Sequence, residues 1–323
     1  MRVAITGAAG FLGRKLAEWI VGERSLDIDG RCEAVTDLAL FDEVEPANLP
    51  GARAVVGDIG DPGALRRVID EDAGCVFHLA AVVSAGAEAD FDLGMRVNLD
   101  GTRAVLEACR GARRPPRLVF ASSIAVFGGP IDLVTDSTAP APRTSYGVQK
   151  AIGELLVEDY SRKGFVDGRS VRLPTIVVRP GTPNKAASTF ASSIIREPLA
   201  GAEAVCPVGP EARMWMLSPR GAIDGLLRAC ALPRTTWGAG ALTLPGVETG
   251  IGELVGALGR VAGPGPVGRI AWRQDPAIQS IVAGWPYRFA PERALGLGFK
   301  PDPSVEAIIR AYIDDELAGR FVA

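Results

Sequence analysis

Short apolar runs recur along the first half of the chain, most of them closed by glycine, proline or an acid. They are RVAIT (2–6), LALFD (38–42), RAVVGD (53–58), CVFHLA (75–80) and RLVFAS (117–122), followed by a longer run, SVRLPTIVV (170–178). Runs of this length are the pattern of strands buried on both faces. Between them lie stretches with apolar positions at helical spacing: 11–22, roughly 61–70, 92–111 and 144–163. Strand and helix in alternation build βαβ units, so the predicted fold class is α/β, a doubly wound parallel sheet. After RPGTPN (179–184) the rhythm changes, with dense Gly and Pro and short, mixed runs. EAVCPVG (203–209) and RMWML (213–217) have strand character. SPRGAIDGLLRAC (218–230) opens with Ser and Pro, and DPSVEAIIRAYIDDEL (302–317) is a capped amphipathic helix. The expected organisation is a sheet domain over 1–178, to which 219–248 returns, and a smaller mixed α/β lobe over 179–218 and 249–323.

Composition narrows the classes. The 323 residues carry 35 Lys and Arg against 38 Asp and Glu, a net charge of −3. A nucleic-acid binder would show a basic excess or stripe. No apolar run reaches the about 18 residues of a membrane-crossing helix. The N-terminal MRVAITGAAGFLG is expected to be a strand and turn rather than a secretion signal. The five cysteines are scattered and include no CxxC, which suits reduced thiols in a cytoplasmic protein. The one histidine, His78, sits in the apolar CVFHLAAV. A buried structural histidine is expected there, and no metal site.

TGAAGFLG places Gly7, Gly10 and Gly13 between the first strand and the first helix. Gly7 permits a tight turn, Gly10 lets main chain approach a pyrophosphate, and Gly13 lets the helix pack on the strand. The helix N-terminus, from Phe11 and Leu12, offers unpaired N–H groups to phosphate. Asp42 ends the second apolar run, 29 residues after Gly13, and is expected at the adenosine ribose. The loop 25–35 accounts for the long spacing; Asp37 competes but precedes the strand. A carboxylate there bonds a 2′-hydroxyl and repels a 2′-phosphate, favouring NAD over NADP. Asp58 and Ile59 are expected beside the adenine, and Leu79, Ala80 and Ala81 along the phosphates and the second ribose.

TSYGVQKAIGE (144–154) puts Tyr146 and Lys150 one helical turn apart, on one face. With NAD in place the pair has a task. A hydroxyl that loses hydride must also lose a proton, and a tyrosine beside an ammonium can take it. FASSIAVFGG (120–129) supplies Ser122 and Ser123, the latter 23 residues before Tyr146.

GxxGxxG, GDI, HLAA, NLDGT (98–102), SSIAVFG and YxxxK, in this order over the first 180 or so residues, resemble the extended short-chain dehydrogenase/reductase family, of NAD-dependent epimerase/dehydratase type. The resemblance implies a Rossmann NAD-binding domain, a substrate lobe and a homodimer. It makes Ser123, Tyr146 and Lys150 the catalytic residues. Asn98 matches the family's structural asparagine, and with Ser122 and Leu173 it joins the expected cofactor contacts.

Within the family, nucleotide-sugar epimerases commonly carry R-x-x-N after the sixth strand; here RLPT puts Thr175 at the Asn position. The dehydratase Asp-Glu pair is replaced by Ile124 and Ala125. AAVVSAGAEADFDLG, RLPTIVVRPGTPN, SSIIREPLAG, MWMLSPR and GWPYRF instead resemble the D-erythronate dehydrogenases, a branch of the same family. That implies NAD-dependent oxidation of the C2 hydroxyl of a small sugar acid to a 2-oxo acid. Ser84, Ser123, Thr175, Arg179, Asn184 and Arg213 are the candidate substrate contacts, with Arg179 and Arg213 suited to a carboxylate. For Lys185 and Arg196 a solvated surface charge is the plainer expectation. The competing functions are a nucleotide-sugar epimerase with tightly held NAD and a non-catalytic NAD-binding protein.

Overall fold

The computed structural model describes residues 1–181 and 187–323. Its largest sheet has seven strands: β1 (Arg2–Thr6), β2 (Asp37–Asp42), β3 (Arg53–Val56), β4 (Ala73–His78), β5 (Arg117–Ser123), β6 (Asp167–Leu173) and β7 (Leu242–Thr243). Their order across the sheet is 7-6-5-4-1-2-3. The ladders from β3 through β2, β1 and β4 to β5 are parallel. The chain winds outward from β1 in one direction, then returns through β4 to wind in the other. This is the Rossmann topology, whose ligand crevice opens at the carboxyl ends of the strands beside the reversal. β1 and β4 are therefore the strands whose ends matter for a ligand.

Among the helices are α1 (Phe11–Glu23), α2 (Gly101–Arg110) and α3 (Ser145–Arg162). One core packs Phe41, Leu65, Ile69, Val76, Leu118 and Phe120 with Leu106 of α2 and Val157 of α3. The expected helix over 92–111 is broken into Phe91–Gly94, a π-turn at Met95–Asp100 and α2. π-turns concentrate at functional sites, and this one carries Asn98.

The chain divides into two compact units. The first comprises Met1–Val126, Thr144–Arg172 and Ile223–Leu242; the second comprises Phe127–Arg143, Leu173–Ala222 and Thr243–Ala323. The division departs from the expected boundaries at 173–178, 219–222 and 243–248, and at 127–143, all assigned by sequence to the sheet domain. Val134–Thr135 in that last segment pairs in parallel with Phe289–Ala290, which ties it to the second unit. The second unit holds its own core, including Phe190, Ile194, Leu254, Leu258, Ile308 and Ile309. Its three-stranded sheet orders Thr175–Ile176, Arg213–Leu217 and Val247–Gly250.

The run 170–178, expected as one strand, is two. β6 stops at Leu173, and Thr175–Ile176 enters the other sheet. Pro174 between them has no N–H to continue a ladder. The segment 25–35, expected as a loop, is a hairpin of Ser25–Ile28 against Arg31–Ala34.

Candidate active site

The glycine turn joins β1 to α1. Gly7 has φ +77, and a Cβ on it would stand 2.5 Å from Ala80 N and 2.7 Å from the Leu79 carbonyl carbon. The turn thus lies against the chain leaving β4, where Leu79 N donates to Thr6 O at 3.0 Å. Gly13 packs tighter still: its Cβ would be 2.1 Å from Gly7 O. Gly10 differs, since its Cβ would meet only Gly7 O, at 3.2 Å. The space above Gly10 is a cradle that a side chain would fill and a phosphate can use. Gly10 caps α1 with no side-chain bond, so the first-turn N–H groups of Phe11, Leu12 and Gly13 face outward without an intrahelical partner.

Asp42 ends β2 beside this turn. Its Oδ2 accepts from Ala9 N at 2.9 Å and its Oδ1 from Val44 N at 3.3 Å. The carboxylate is thereby fixed next to the cradle. Asp37 lies at the opposite end of β2 and pairs with Arg53. Asp58 is exposed and folds onto Gly60 N at 2.7 Å. Ile59 is buried against α2, where a Cβ on Gly101 would meet its Cγ2 at 2.7 Å.

α3 carries the candidate pair Tyr146 and Lys150. Thr144 caps it, its Oγ1 accepting from Gly147 N at 3.1 Å, and Glu88 accepts from Ser145 N at 2.9 Å. Its buried face carries Gly147, Lys150, Gly153, Glu154 and Val157, at spacings of three and four. Gly153 lets the helix touch β5: a Cβ there would stand 2.7 Å from Phe120 Cζ. Two ionisable groups on that face are unusual for a core helix, and each has a partner.

Lys150 is 2% exposed. Its Nζ donates to Ala121 O at 2.8 Å and lies 4.7 Å from the Phe120 ring centre and 5.8 Å from that of Tyr146. Burial pushes its pKa down to about 7, with the Glu154 carboxylate pulling the other way. Glu154 is held bidentately by Arg172, at 2.9 and 2.7 Å, and accepts from Ser122 Oγ at 2.5 Å. Tyr146 stands one turn before Lys150, half-buried. Ser123 ends β5, and its Oγ accepts from Ala125 N at 3.1 Å.

His78 is buried and structural. Thr102 Oγ1 donates to Asn98 O at 2.6 Å, so it accepts from His78 Nε2 at 2.9 Å. Nδ1 therefore accepts from Thr6 Oγ1 at 2.7 Å. Burial first, and the Lys150 charge second, hold its pKa down to about 3.

Several of the residues singled out in the sequence have partners within the protein. Ser122, placed at the cofactor, turns its hydroxyl to Glu154. Asn98 spends both amide hydrogens, on Val82 O at 3.0 Å and Gln149 Oε1 at 2.7 Å, while its Oδ1 accepts from Val82 N at 2.8 Å. It pins the main chain after Ala81 rather than reaching outward. Arg196, expected as a solvated charge, is 8% exposed; it donates to Arg179 O at 2.7 Å and pairs with Glu197. Ser84 begins a short helix and is half-buried, as are Thr175 and Leu173. Asn184 and Lys185 lie outside the described residues. Among the described residues, no group of three or more His, Cys, Asp or Glu could hold a metal ion, and no helix is long and apolar enough to cross a membrane.

Glu154, Arg172 and Gln149 went unnoticed in the sequence. Glu154 had a signal: it follows Lys150 by four residues, on the same face. The other two had none, because their partners come from other elements.

Comparison with known proteins agrees with this geometry. Residues 3–229 match the model of the NAD dependent epimerase/dehydratase family. The chain is 53% identical over 319 residues to D-erythronate dehydrogenase of Cupriavidus necator, covering 98% of each. It is 43% identical to the Haemophilus influenzae enzyme of the same name, covering 98% of this chain and all of the other. Among solved structures, a nucleoside-diphosphate-sugar epimerase from Agrobacterium tumefaciens superimposes with a TM-score of 0.93 at 43% identity, over 99% of this chain and 95% of that one. The chain belongs to the NAD dependent epimerase/dehydratase family, within the extended short-chain dehydrogenase/reductases, and is an NAD-dependent oxidoreductase acting on a small molecule.

Proposed function

We propose that the protein oxidises the C2 hydroxyl of D-erythronate, or a closely similar four-carbon sugar acid, to the 2-oxo acid. The observation that carries this reading is the end-to-end likeness to two D-erythronate dehydrogenases. In this reading Gly7, Gly10, Phe11, Leu12 and Gly13 hold the diphosphate of NAD and Asp42 its adenosine ribose. Asp58 and Ile59 flank the adenine, and Leu79, Ala80, Ala81 and Leu173 line the remainder. NAD supplies the hydride acceptor.

The chain's own residues handle the proton. Ser123 Oγ orients the C2 oxygen, and Tyr146 Oη takes the hydroxyl proton. Charged Lys150 stabilises the phenolate one turn away. With its pKa at about 7, Lys150 exchanges a proton readily at neutral pH. Ala121 O keeps its Nζ from swinging out, and the Glu154–Arg172 pair supplies a fixed carboxylate behind it. Asn98 acts through Val82, and Ser122 through Glu154. A homodimer and a cytoplasmic location belong to the same proposal. Val148 and Leu155 are exposed on α3, which supports the first, and all five cysteines are free thiols, which suits the second.

The name of the Agrobacterium structure favours one other reading, a nucleotide-sugar epimerase that returns its hydride to the substrate. Thr175 in place of the diphosphate-binding Asn speaks against it. One assay separates the two. D-erythronate with NAD is expected to give stoichiometric NADH absorbance, and NADP to work at least about tenfold less well, a difference of ~1.4 kcal/mol. Epimerisation of a UDP-sugar without net NADH would overturn the sugar-acid reading. Equal kcat/KM with both cofactors would remove Asp42 from the ribose.

A further inference from the structure

In a 2-hydroxy acid the carboxylate is bonded directly to the carbon that reacts. Its anchor must therefore lie next to the catalytic hydroxyls. The two arginines singled out in the sequence are already engaged. Arg213 is exposed, but its Nε donates to Glu248 Oε1 at 3.0 Å, its Nη2 lies 2.9 Å from the same oxygen, and its guanidinium lies over Tyr287. Arg179 folds back on the strand before it, with Nε donating to Ile176 O at 3.1 Å.

A third arginine is different. Arg143 makes no hydrogen bond or ion pair among the described residues, and it is exposed. It stands three residues before Tyr146, so chain connectivity alone keeps the two Cα atoms within about 11 Å. Its side chain lies along a shelf of two glycines. A Cβ on Gly128 would stand 2.7 Å from Arg143 Cγ and 3.2 Å from its backbone N. One on Gly129, whose φ is +93, would stand 3.7 Å from Nε and 3.8 Å from Nη2. These two glycines follow Ser123 by five and six residues. Any side chain at Gly128 would displace the arginine. The packing sets the side chain's path while leaving its fork of donors uncommitted, as a bidentate carboxylate site requires.

We propose that Arg143, laid on the Gly128–Gly129 shelf, is the anchor for the substrate carboxylate; this rests on the sugar-acid reading above. Arg213, held by Glu248, and Arg179, held by main chain, then contribute little to KM.

The test compares steady-state kinetics of wild type, Arg143→Ala, Arg143→Lys, Arg179→Ala and Arg213→Ala with D-erythronate, alongside calorimetric NAD titration. Arg143→Ala is expected to raise KM for the acid about 100-fold, as the loss of charge-assisted hydrogen bonds does, with NAD affinity unchanged. Low concentrations of guanidinium should restore part of the activity of Arg143→Ala alone. Arg143→Lys should fall between, since it keeps the charge but not the fork. Gly128→Ala should reproduce the KM rise with the charge still present. Wild-type KM in Arg143→Ala, in an enzyme whose wild type oxidises D-erythronate, would overturn the anchor and leave the sugar-acid reading intact. A wild type that oxidises no hydroxy acid would overturn both.

Discussion

Tyr146→Phe is expected to cut kcat by about 10²- to 10⁴-fold, the range for removing a general base, while NAD affinity stays close to wild type. The ring keeps its place in the first turn of α3, capped by Thr144, and only the phenolic oxygen is lost. Lys150 is untouched, because its Nζ is held by Ala121 O and its charge is opposed by Glu154, neither of which involves Tyr146. The loss should fall on kcat and kcat/KM together, the signature of an interaction made in the transition state. Stopped-flow measurement of the first turnover, with NAD titration alongside, checks both halves. More than a tenth of wild-type kcat in the variant would mean that another group takes the proton.

Two glycine substitutions three residues apart should fail in opposite ways. In Gly13→Ala the new methyl would stand 2.1 Å from Gly7 O and 2.8 Å from Ala8 Cα, both main-chain atoms. Backbone cannot step aside as a side-chain tip can, so α1 must shift from β1. Overpacking of this kind costs about 1–3 kcal/mol or more, and it deforms the phosphate cradle too. Both Tm and NAD affinity should drop. In Gly10→Ala the methyl meets only Gly7 O at 3.2 Å, so Tm should barely move. Its methyl points into the space left for the diphosphate, and NAD affinity should fall by at least about tenfold, ~1.4 kcal/mol. Normal NAD binding by Gly10→Ala would show that the turn is no phosphate cradle.

The sheet was legible because its strands are buried on both faces and so appear as bare apolar runs. β1, β2 and β5 lie within a residue of where the runs put them. The hairpin after α1 was not legible in that way: Arg31–Ala34 is exposed at every position, so no apolar side marks it as a strand. Its turn was signalled, however, since Asp29-Gly30 with φ of 56° and 76° is a two-residue hairpin turn of the Asp-Gly type. The candidate pair on α3 was readable because Tyr146 and Lys150 lie one turn apart on a single element. The partners of Ser122 and Asn98, and the burial of Arg196, were hidden for the converse reason. Each residue is defined by the group opposite it (Glu154, Val82 with Gln149, and Arg179 O), and no spacing along the chain announces such a meeting.

The neutral imidazole wedged between Thr6 and Thr102 couples folding to protons. His78 is the chain's one histidine. Its native pKa of about 3 lies far below the 6.5 of a free imidazole. Between those values the unfolded chain binds a proton that the native protein refuses, so acidification favours unfolding. The slope approaches about 1.4 kcal/mol per pH unit once the unfolded imidazole is mostly protonated. Lys150, native at about 7 against 10.5 when free, adds a slope of the same sign only on the alkaline side. Ordinary carboxylates titrate lower, so urea midpoints measured between about pH 6.5 and pH 5 isolate the imidazole. They should fall steadily in the wild type and stay flat in His78→Asn, whatever the starting stability of that variant. Parallel slopes in the two proteins would mean that the native imidazole accepts a proton after all.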